Sequence, residues 1–482
     1  MDLDVDLRSV HEARCLVKQA REAFLKLKEY SQEQIDRLIQ VMAETAQNNS
    51  LRLAEMAVEE TGFGVVADKV AKNLLASETV YEYIKDMKTV GVIAEYPERK
   101  VLEIAEPVGV ILGLLPTTNP TSTLIYKALI AIKSRNAIVF SPHPAAIKCS
   151  VETARIMSEA AVAMGAPAGI IGCLSHATME GTDELMKHRG VDMILATGGA
   201  AMVRAAYSTG KPAYGVGPGN VPAFIERTAD ITKAIADIMV SKTFDNGTIC
   251  SSEQAIVVED VIKEQVIQEL RRVGCYMLNA EQKRLVEGVL VKPNGGLNPG
   301  IVGRPPQKIA AMAGFNVPSD VRVLVAEESG VGRAFPFSME KLSPVLALYT
   351  ASDWHSACEK CIEILNYGGI GHTLSIHSRD ESIIREFALK KPVSRILVNT
   401  PSTHGAVGLS TGLAPSLTLG CGSWGKNSTG DNITPRHLIT IKRLAYGLEE
   451  VSAQTAPAQI NQGVSDEILK KVIQQVLEQV AV

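Results

Sequence analysis

The sequence predicts an α/β protein with two parallel-sheet domains, and three observations predict it. From about residue 103, short apolar runs alternate with amphipathic segments, the mark of strand–helix crossovers on a sheet buried on both faces. The runs fall into one series before and another after the Gly217-Pro218-Gly219 segment. Finally, 482 residues exceed what one ordinary core accommodates.

The first 90 residues read as helices. Ser31 and Gln34 form a capping box, and Ile35, Leu38, Ile39 and Met42 then recur at helical spacing. Residues 92–95 and 100–105 suit a hairpin. The first strand series is 108–115, 137–140, 169–174 and 193–196. The second is 223–226, 255–258, 321–326, 345–349, 373–376 and 396–398. Residues 437–444 make a further strand which, with the hairpin, is expected outside both cores in subunit contacts. The expected organisation is therefore a helical and nucleotide-binding domain over 1–226 containing the 92–105 hairpin, a second α/β domain over 227–425, and an oligomerisation strand over 426–447.

Residues 448–463 are small, polar and without period, and read as a linker. Residues 464–482 then open with an N-cap and acidic first turn. Ile468, Leu469, Val472, Ile473, Val476, Leu477 and Val480 draw one apolar stripe. A helix so short must bury that stripe, either on its own body or in a partner's groove.

Composition narrows the function. Basic and acidic side chains nearly balance, 49 against 53, and no Lys/Arg cluster offers the surplus charge that nucleic acid requires. The N-terminus is acidic where a secretory signal would be basic, and no run approaches a membrane span, so an intracellular protein is expected. Eight scattered cysteines do not form a disulfide framework. Cys358 and Cys361 make a C-x-x-C, but within an apparent helix at 352–365 and without a second pair, so they read as two residues on a helix face. No metal site is expected, the nine histidines including no H-E-x-x-H.

Four segments carry candidate chemistry. Cys250 sits among small polar neighbours, and Asn246, Gly247 and Thr248 before it and Ser251 and Ser252 after it would supply hydrogen-bond donors to a thiolate; a lone cysteine is more commonly a buried small residue. The other seven cysteines look less exposed and less prepared. Thr197-Gly198-Gly199 follows an apolar run and leads into a helix, placing free N–H groups at a sheet edge where a pyrophosphate would bind, though strand–Gly–helix turns are common. Pro116-Thr117-Thr118-Asn119-Pro120 likewise joins a strand to a helix; the Asn119 amide suits an oxyanion, or a simple cap. Glu340 leads into a strand where it would bind a ribose diol, or remain solvated. Gly420-Cys421-Gly422-Ser423-Trp424-Gly425 is formally G-x-G-x-x-G, but loop residues follow it, so it is no dinucleotide fingerprint. Its glycines are expected to permit close backbone packing.

Asn119, Thr197-Gly198-Gly199, Cys250 and Glu340, in this order and spacing, resemble the aldehyde dehydrogenase superfamily. The phrases Asp245–Gln254, Asn366-Tyr367-Gly368-Gly369-Ile370-Gly371-His372 and Ala414 through Gly425 resemble its CoA-acylating branch, which includes the aldehyde half of bifunctional aldehyde–alcohol dehydrogenases and enzymes of bacterial microcompartments. The resemblance covers residues 10–447. It implies a Rossmann-type cofactor domain, a catalytic domain carrying Cys250 and a small β oligomerisation element. It also implies a short-chain aldehyde substrate, oxidation through a Cys250 thiohemiacetal and acyl-thioester with Asn119 and the Cys250 N–H holding the oxyanion, coenzyme A as acyl acceptor, and a homodimer or homotetramer. The cofactor residues implied are Thr197, Gly198, Gly199, Glu340, Pro116, Thr117, Ser141, His143, Gly217 and Gly219.

Two departures matter. Val216 aligns with the glutamate that activates water in hydrolytic relatives. A thiol near pKa 8.5 is partly ionised without a base, whereas water near 15.7 is not, so the loss favours the thiol acceptor. Ser141-Pro142-His143 replaces the superfamily's adenosine-ribose lysine, leaving NAD and NADP both open, with NAD preferred. The tethered tail resembles encapsulation peptides in design. It implies docking of 464–482 on a shell protein and residence in a microcompartment lumen within the cytoplasm. The alternatives are a hydrolytic aldehyde dehydrogenase using another base, with Glu253 nearest, and an inactive shell-associated protein. His372 and His404 are secondary candidates for deprotonating coenzyme A.

Overall fold

The computed structural model describes residues 4–448 and 466–480; the linker expected at 448–463 lies, beyond Leu448, outside the described residues. The chain opens with helices α1 (Val5–Leu27), α2 (Gln32–Asn48), α3 (Ser50–Thr61) and α4 (Val66–Leu74), the last continuing through a π-helical turn, Leu75–Thr79, into α5 (Val80–Ile84). Ser31 and Gln34 cap α2 reciprocally. The predicted stripe Ile35, Leu38, Ile39 and Met42 is fully buried.

Strands β1 (Gly91–Tyr96) and β2 (Val101–Pro107) form the expected antiparallel hairpin. The first series then alternates strand and helix: β3 (Val110–Leu114), α6 (Pro120–Lys133), β4 (Ala137–Ser141), α7 (Ile147–Ala163), β5 (Ile171–Cys173), α8 (Met179–Lys187), β6 (Met193–Thr197), α9 (Ala200–Tyr207) and β7 (Ala213–Val216). These strands make a five-stranded parallel sheet in the order β5-β4-β3-β6-β7. Both faces are covered. Residues of α2 and α6 pack with Ile111, Ile138 and Leu195 on one, and Ala13, Val17 and Ala20 of α1 pack with Val110, Leu112 and Val139 on the other. This explains the continuous apolar strands read from the sequence.

The second series is β8 (Val221–Ile225), β9 (Glu253–Glu259), β10 (Cys275–Met277), β11 (Val323–Glu327), β12 (Val345–Ala351), β13 (Gly371–His377) and β14 (Val393–Val398), a parallel sheet in the order β10-β11-β12-β9-β8-β13-β14. Strand β15 (Ile439–Ala445) returns to β2 and completes a separate sheet, β1-β2-β15. The α/β class with parallel sheets is as expected. Strands β7 and β10 were not anticipated: at four and three residues they are too short to carry a period, and β7 lies in the glycine-rich run leading to Gly217.

One expectation needs correction. Cys15 is exposed, more so than Cys250, because it lies on the outer side of α1, away from the stripe of Ala13, Val17 and Ala20. The C-terminal helix, Asp466–Val480, forms, but its stripe residues Ile468, Leu469, Val472, Ile473, Val476 and Leu477 are all more than half exposed, so it does not bury them on the body. Cys358 and Cys361 lie buried on the helix Trp354–Gly368, with Lys391 against the Cys358 sulfur. None of the described helices is long and apolar enough to cross a membrane.

Candidate active site

Strands β3 and β6 are neighbours, yet the chain leaves β3 toward β4 on one side and β6 toward β7 on the other. Their C-terminal ends therefore flank a crevice of the kind where open α/β sheets bind ligands. Lys127, buried in α6, joins the two strands by donating to Leu114 O at 2.7 Å and Leu195 O at 2.9 Å. A cleft of about 630 Å³ opens there. One part of its lining is Pro116, Thr117, Ser141, His143, Thr197, Gly198, Gly199 and Met202, with Thr178, Met179 and Thr182 at the start of α8.

Gly199 precedes α9, and a Cβ placed on it would meet nothing within 4 Å; on Gly198 it would meet only Met202, at 3.8 Å. The open backbone at this helix N-terminus fits an anionic diphosphate. No carboxylate lines this part of the cleft, and His143 is exposed at its edge, its Nδ1 accepting the Ala145 N–H.

The other part of the lining carries Cys250 and Asn119, with Glu340, Val216, Gly217 and the apolar side chains Phe63, Ile249, Val302, Leu342, Val407, Leu417 and Leu419. Cys250 is delivered by a turn in which Asp245 and Asn246 both take left-handed angles, φ 50° and 52°, followed by Gly247 at φ 75°. Such a conformation must be held by its surroundings. Burial pushes the Cys250 thiol up to about 12; the nearby Glu340 adds to this, and the Arg395 guanidinium and the Cys250 backbone N–H oppose it.

The donors expected from neighbouring residues serve elsewhere: Asn246 donates to Gly303 O and Thr248 Oγ1 to Asp245. The Ser251 and Ser252 hydroxyls are buried without partners among the described residues.

Glu340 Oε1 accepts the Gly219 N–H at 3.0 Å. Burial raises this carboxyl to about 8 against the opposing influence of that N–H, Lys242 and Lys341. Gly219, assigned to the cofactor from sequence, does not line the cleft. It lies behind Cys250, where a Cβ would stand 2.0 Å from the Cys250 carbonyl oxygen and 3.3 Å from His372 Cγ.

His372 is fully buried. Its Nδ1 pairs with Thr373 Oγ1 at 2.9 Å, its Nε2 has no partner among the described residues, and burial, reinforced by Arg395, holds it well below the usual imidazole range. His404 instead packs on Phe244. Glu253 is fully buried in β9, accepts the Ser402 N–H at 3.0 Å and does not line the cleft. Within the 420–425 loop, a Cβ on Gly420 would meet Thr429 O at 2.3 Å, and one on Gly425 would meet Cys421 Cβ at 2.3 Å and Ile370 O at 3.1 Å. That is the close backbone approach its glycines were expected to permit.

Sequence reasoning missed the charged cluster behind Asn119. Asp245 is buried between Lys69 and Lys72 of α4, at 3.0 and 2.5 Å. The available signal was two lysines three residues apart on a helix whose remaining stripe is short. Only the fold shows that they face inward.

The Aldehyde dehydrogenase family profile matches residues 3–274. The bifunctional aldehyde-alcohol dehydrogenase AdhE of Escherichia coli K12 is 45% identical over 457 residues, 94% of this chain and 51% of that protein. The chain thus spans about half the length of that relative. An acetylating aldehyde dehydrogenase from Geobacillus thermoglucosidasius superposes with a TM-score of 0.92 at 53% identity, over 93% of this chain and 99% of that one. A propionaldehyde dehydrogenase from the fucose-utilisation bacterial microcompartment of Clostridium phytofermentans gives 0.82 at 30%, over 90% and 97%.

Proposed function

The chain belongs to the aldehyde dehydrogenase family, and from that premise we propose that it oxidises a short-chain aldehyde to the coenzyme A thioester, using NAD. The observation that carries the reading is one cleft holding Cys250, Asn119, Glu340 and the Thr197–Gly199 turn, with Val216 where hydrolytic relatives have their base. The acetylating activity named for the Geobacillus neighbour supports the same acceptor.

Thr197, Gly198 and Gly199 would hold the diphosphate, Pro116, Thr117, Ser141, His143 and Gly217 the remaining length, and Glu340 the ribose nearest the thiol. When bound, the nicotinamide accepts a hydride. The Cys250 thiolate adds to the aldehyde carbon, and the resulting alkoxide is stabilised by Asn119 Nδ2 and the Cys250 N–H. As that alkoxide collapses, the carbon loses hydride and becomes an acyl thioester on Cys250. The coenzyme A thiol gives up its proton and attacks the acyl carbon, the acyl–Cys250 bond breaks, and the thiolate is restored.

His372 is proposed as the proton acceptor: it is fully buried and does not line the cleft, but its Nε2 has no partner among the described residues and its ring lies against Gly219, behind Cys250. The apolar lining from Phe63, Val302, Val407 and Leu417 suits a short aliphatic chain. Exchange of one thioester for another makes the step reversible. NADP is the alternative cofactor, since no carboxylate lines the part of the cleft around Thr197–Gly199, where one would repel a 2′-phosphate.

The deciding assay measures NADH from aldehyde and NAD with and without coenzyme A. Turnover is expected only with it, and Cys250→Ala abolishes that turnover. Sustained turnover without coenzyme A would instead establish a hydrolytic enzyme. Glu253 is poorly placed as its base, being tied to Ser402.

The exposed apolar stripe of the C-terminal helix supports a further part of the proposal, that residues 464–482 dock in a groove of a shell protein and carry the enzyme into a microcompartment. The Clostridium phytofermentans neighbour is consistent with that setting. A homodimer or homotetramer joined through the β1-β2-β15 sheet completes the reading.

A further inference from the structure

We propose that Lys72 is a positioning residue that fixes the orientation of the Asn119 carboxamide and its separation from Cys250. This rests on the reading of Asn119 as the oxyanion donor. Lys72 is 1% exposed, and its ammonium lies 2.6 Å from Asn119 Oδ1, 2.5 Å from Asp245 Oδ2, 3.2 Å from Thr248 O and 3.4 Å from Thr248 Oγ1.

An ammonium only donates, so it selects the carbonyl oxygen of the amide and leaves Nδ2 on the opposite side. One Nδ2 hydrogen goes to Thr118 Oγ1, at 3.1 Å. The second remains for a developing alkoxide. With the lysine removed, the carboxamide could turn over and present an oxygen to that negative charge.

The same helix holds both sides of the site. Lys69 donates to Thr118 O at 2.9 Å, beside Asn119, and to Asp245, five residues before Cys250. The Val65 and Asp245 N–H groups complete the junction through Asp245 Oδ1 and Asp68, each at 2.7 Å. The left-handed Asp245–Asn246 turn is thereby clamped to α4, and the thiol and the amide are referred to one rigid element.

A double-mutant cycle on the full chain tests this, read as the pre-steady-state rate of NADH formation per Cys250 thiol, the thiols counted by iodoacetamide labelling and mass spectrometry. Asn119→Ala is expected to slow that rate by about 100-fold, the usual scale for one oxyanion donor. Lys72→Met should slow it by roughly 10- to 100-fold with KM for NAD within about twofold, and cost less than about threefold further on the Asn119→Ala background.

Equal losses on both backgrounds would reduce Lys72 to a structural residue and overturn the inference while leaving Asn119 its role. No loss from Lys72→Met in the native background would also overturn it. No loss from Asn119→Ala would overturn the inference together with the reading beneath it. Should Lys72→Met fail to fold, Lys72→Gln takes its place in the cycle, where a loss confined to the native background supports the inference and equal losses overturn it. The melting temperature of each variant separates stability from rate.

Discussion

The carbonyl oxygen of Cys250 packs so closely on Gly219 that a Cβ at the latter would stand 2.0 Å from it. Below about 3 Å something must shift, and here the neighbour is backbone. The Gly219 N–H meanwhile holds Glu340, so one glycine sets the depth of the thiol and the position of the carboxyl. Gly219→Ala is expected to lower kcat/KM by more than about 100-fold, since misplacement near 1 Å already has that effect. Steady-state kinetics beside a thermal melt check this; activity near normal in a folded variant would show that the 217–220 segment yields easily.

Burial holds the Cys250 thiol at about 12, with Glu340 adding to the rise. Alkylation of Cys250 in the free enzyme should therefore rise about tenfold per pH unit from 7 to 9.5 without levelling. Glu340 is raised to about 8, so it is mostly protonated below that pH and charged above it. Glu340→Gln should thus leave the rate unchanged near pH 7 and increase it above pH 8. Labelling followed by mass spectrometry of the Cys250 peptide is required, because Cys15 is exposed and also reacts. A plateau near pH 8 would contradict the assignment.

Without coenzyme A, the native enzyme should release about one NADH per Cys250 and stop, holding an acyl adduct on that residue. His372→Ala should retain this burst but slow coenzyme A-dependent turnover by about 100-fold, the scale of a lost general base. Loss of the burst as well would assign His372 to earlier steps or to packing.

Truncation after Gly447 removes the helix whose stripe is already exposed, so kcat/KM and melting temperature should change little, by less than about twofold and about 2 °C. Co-purification with shell proteins should be lost. A destabilised or inactive truncation would show that the tail packs on the body.

The parts legible in sequence were those written in local pattern. Buried parallel strands such as Ile138–Phe140 carry continuous apolar runs, and the capping box at Ser31 involves neighbours in the chain. Asn119, Thr197-Gly198-Gly199 and Glu340 could be singled out because each ends or precedes such a strand, and the structure brings them to one cleft with Cys250. The charges that organise the cleft were not legible, because Lys72 and Asp245 are separated by 173 positions and a buried ion pair leaves no period. Gly219 was visible as a glycine, but its neighbour is a carbonyl rather than a ligand, and only packing distinguishes the two. Strands β7 and β10 were missed for brevity. The exposure of Cys15 depends on which side of α1 meets the sheet.

Strand β15 pairs residues 439–445 with residues 101–107 of β2. During synthesis, at about 5–20 residues per second, β2 must therefore wait on the order of tens of seconds before its partner leaves the ribosome. In that interval the nascent hairpin carries an open hydrogen-bonding edge, which is a hazard for chains emerging side by side on one messenger. The small sheet is thus the last part of the body that the ribosome allows to close, and the one for which early chaperone cover would matter most.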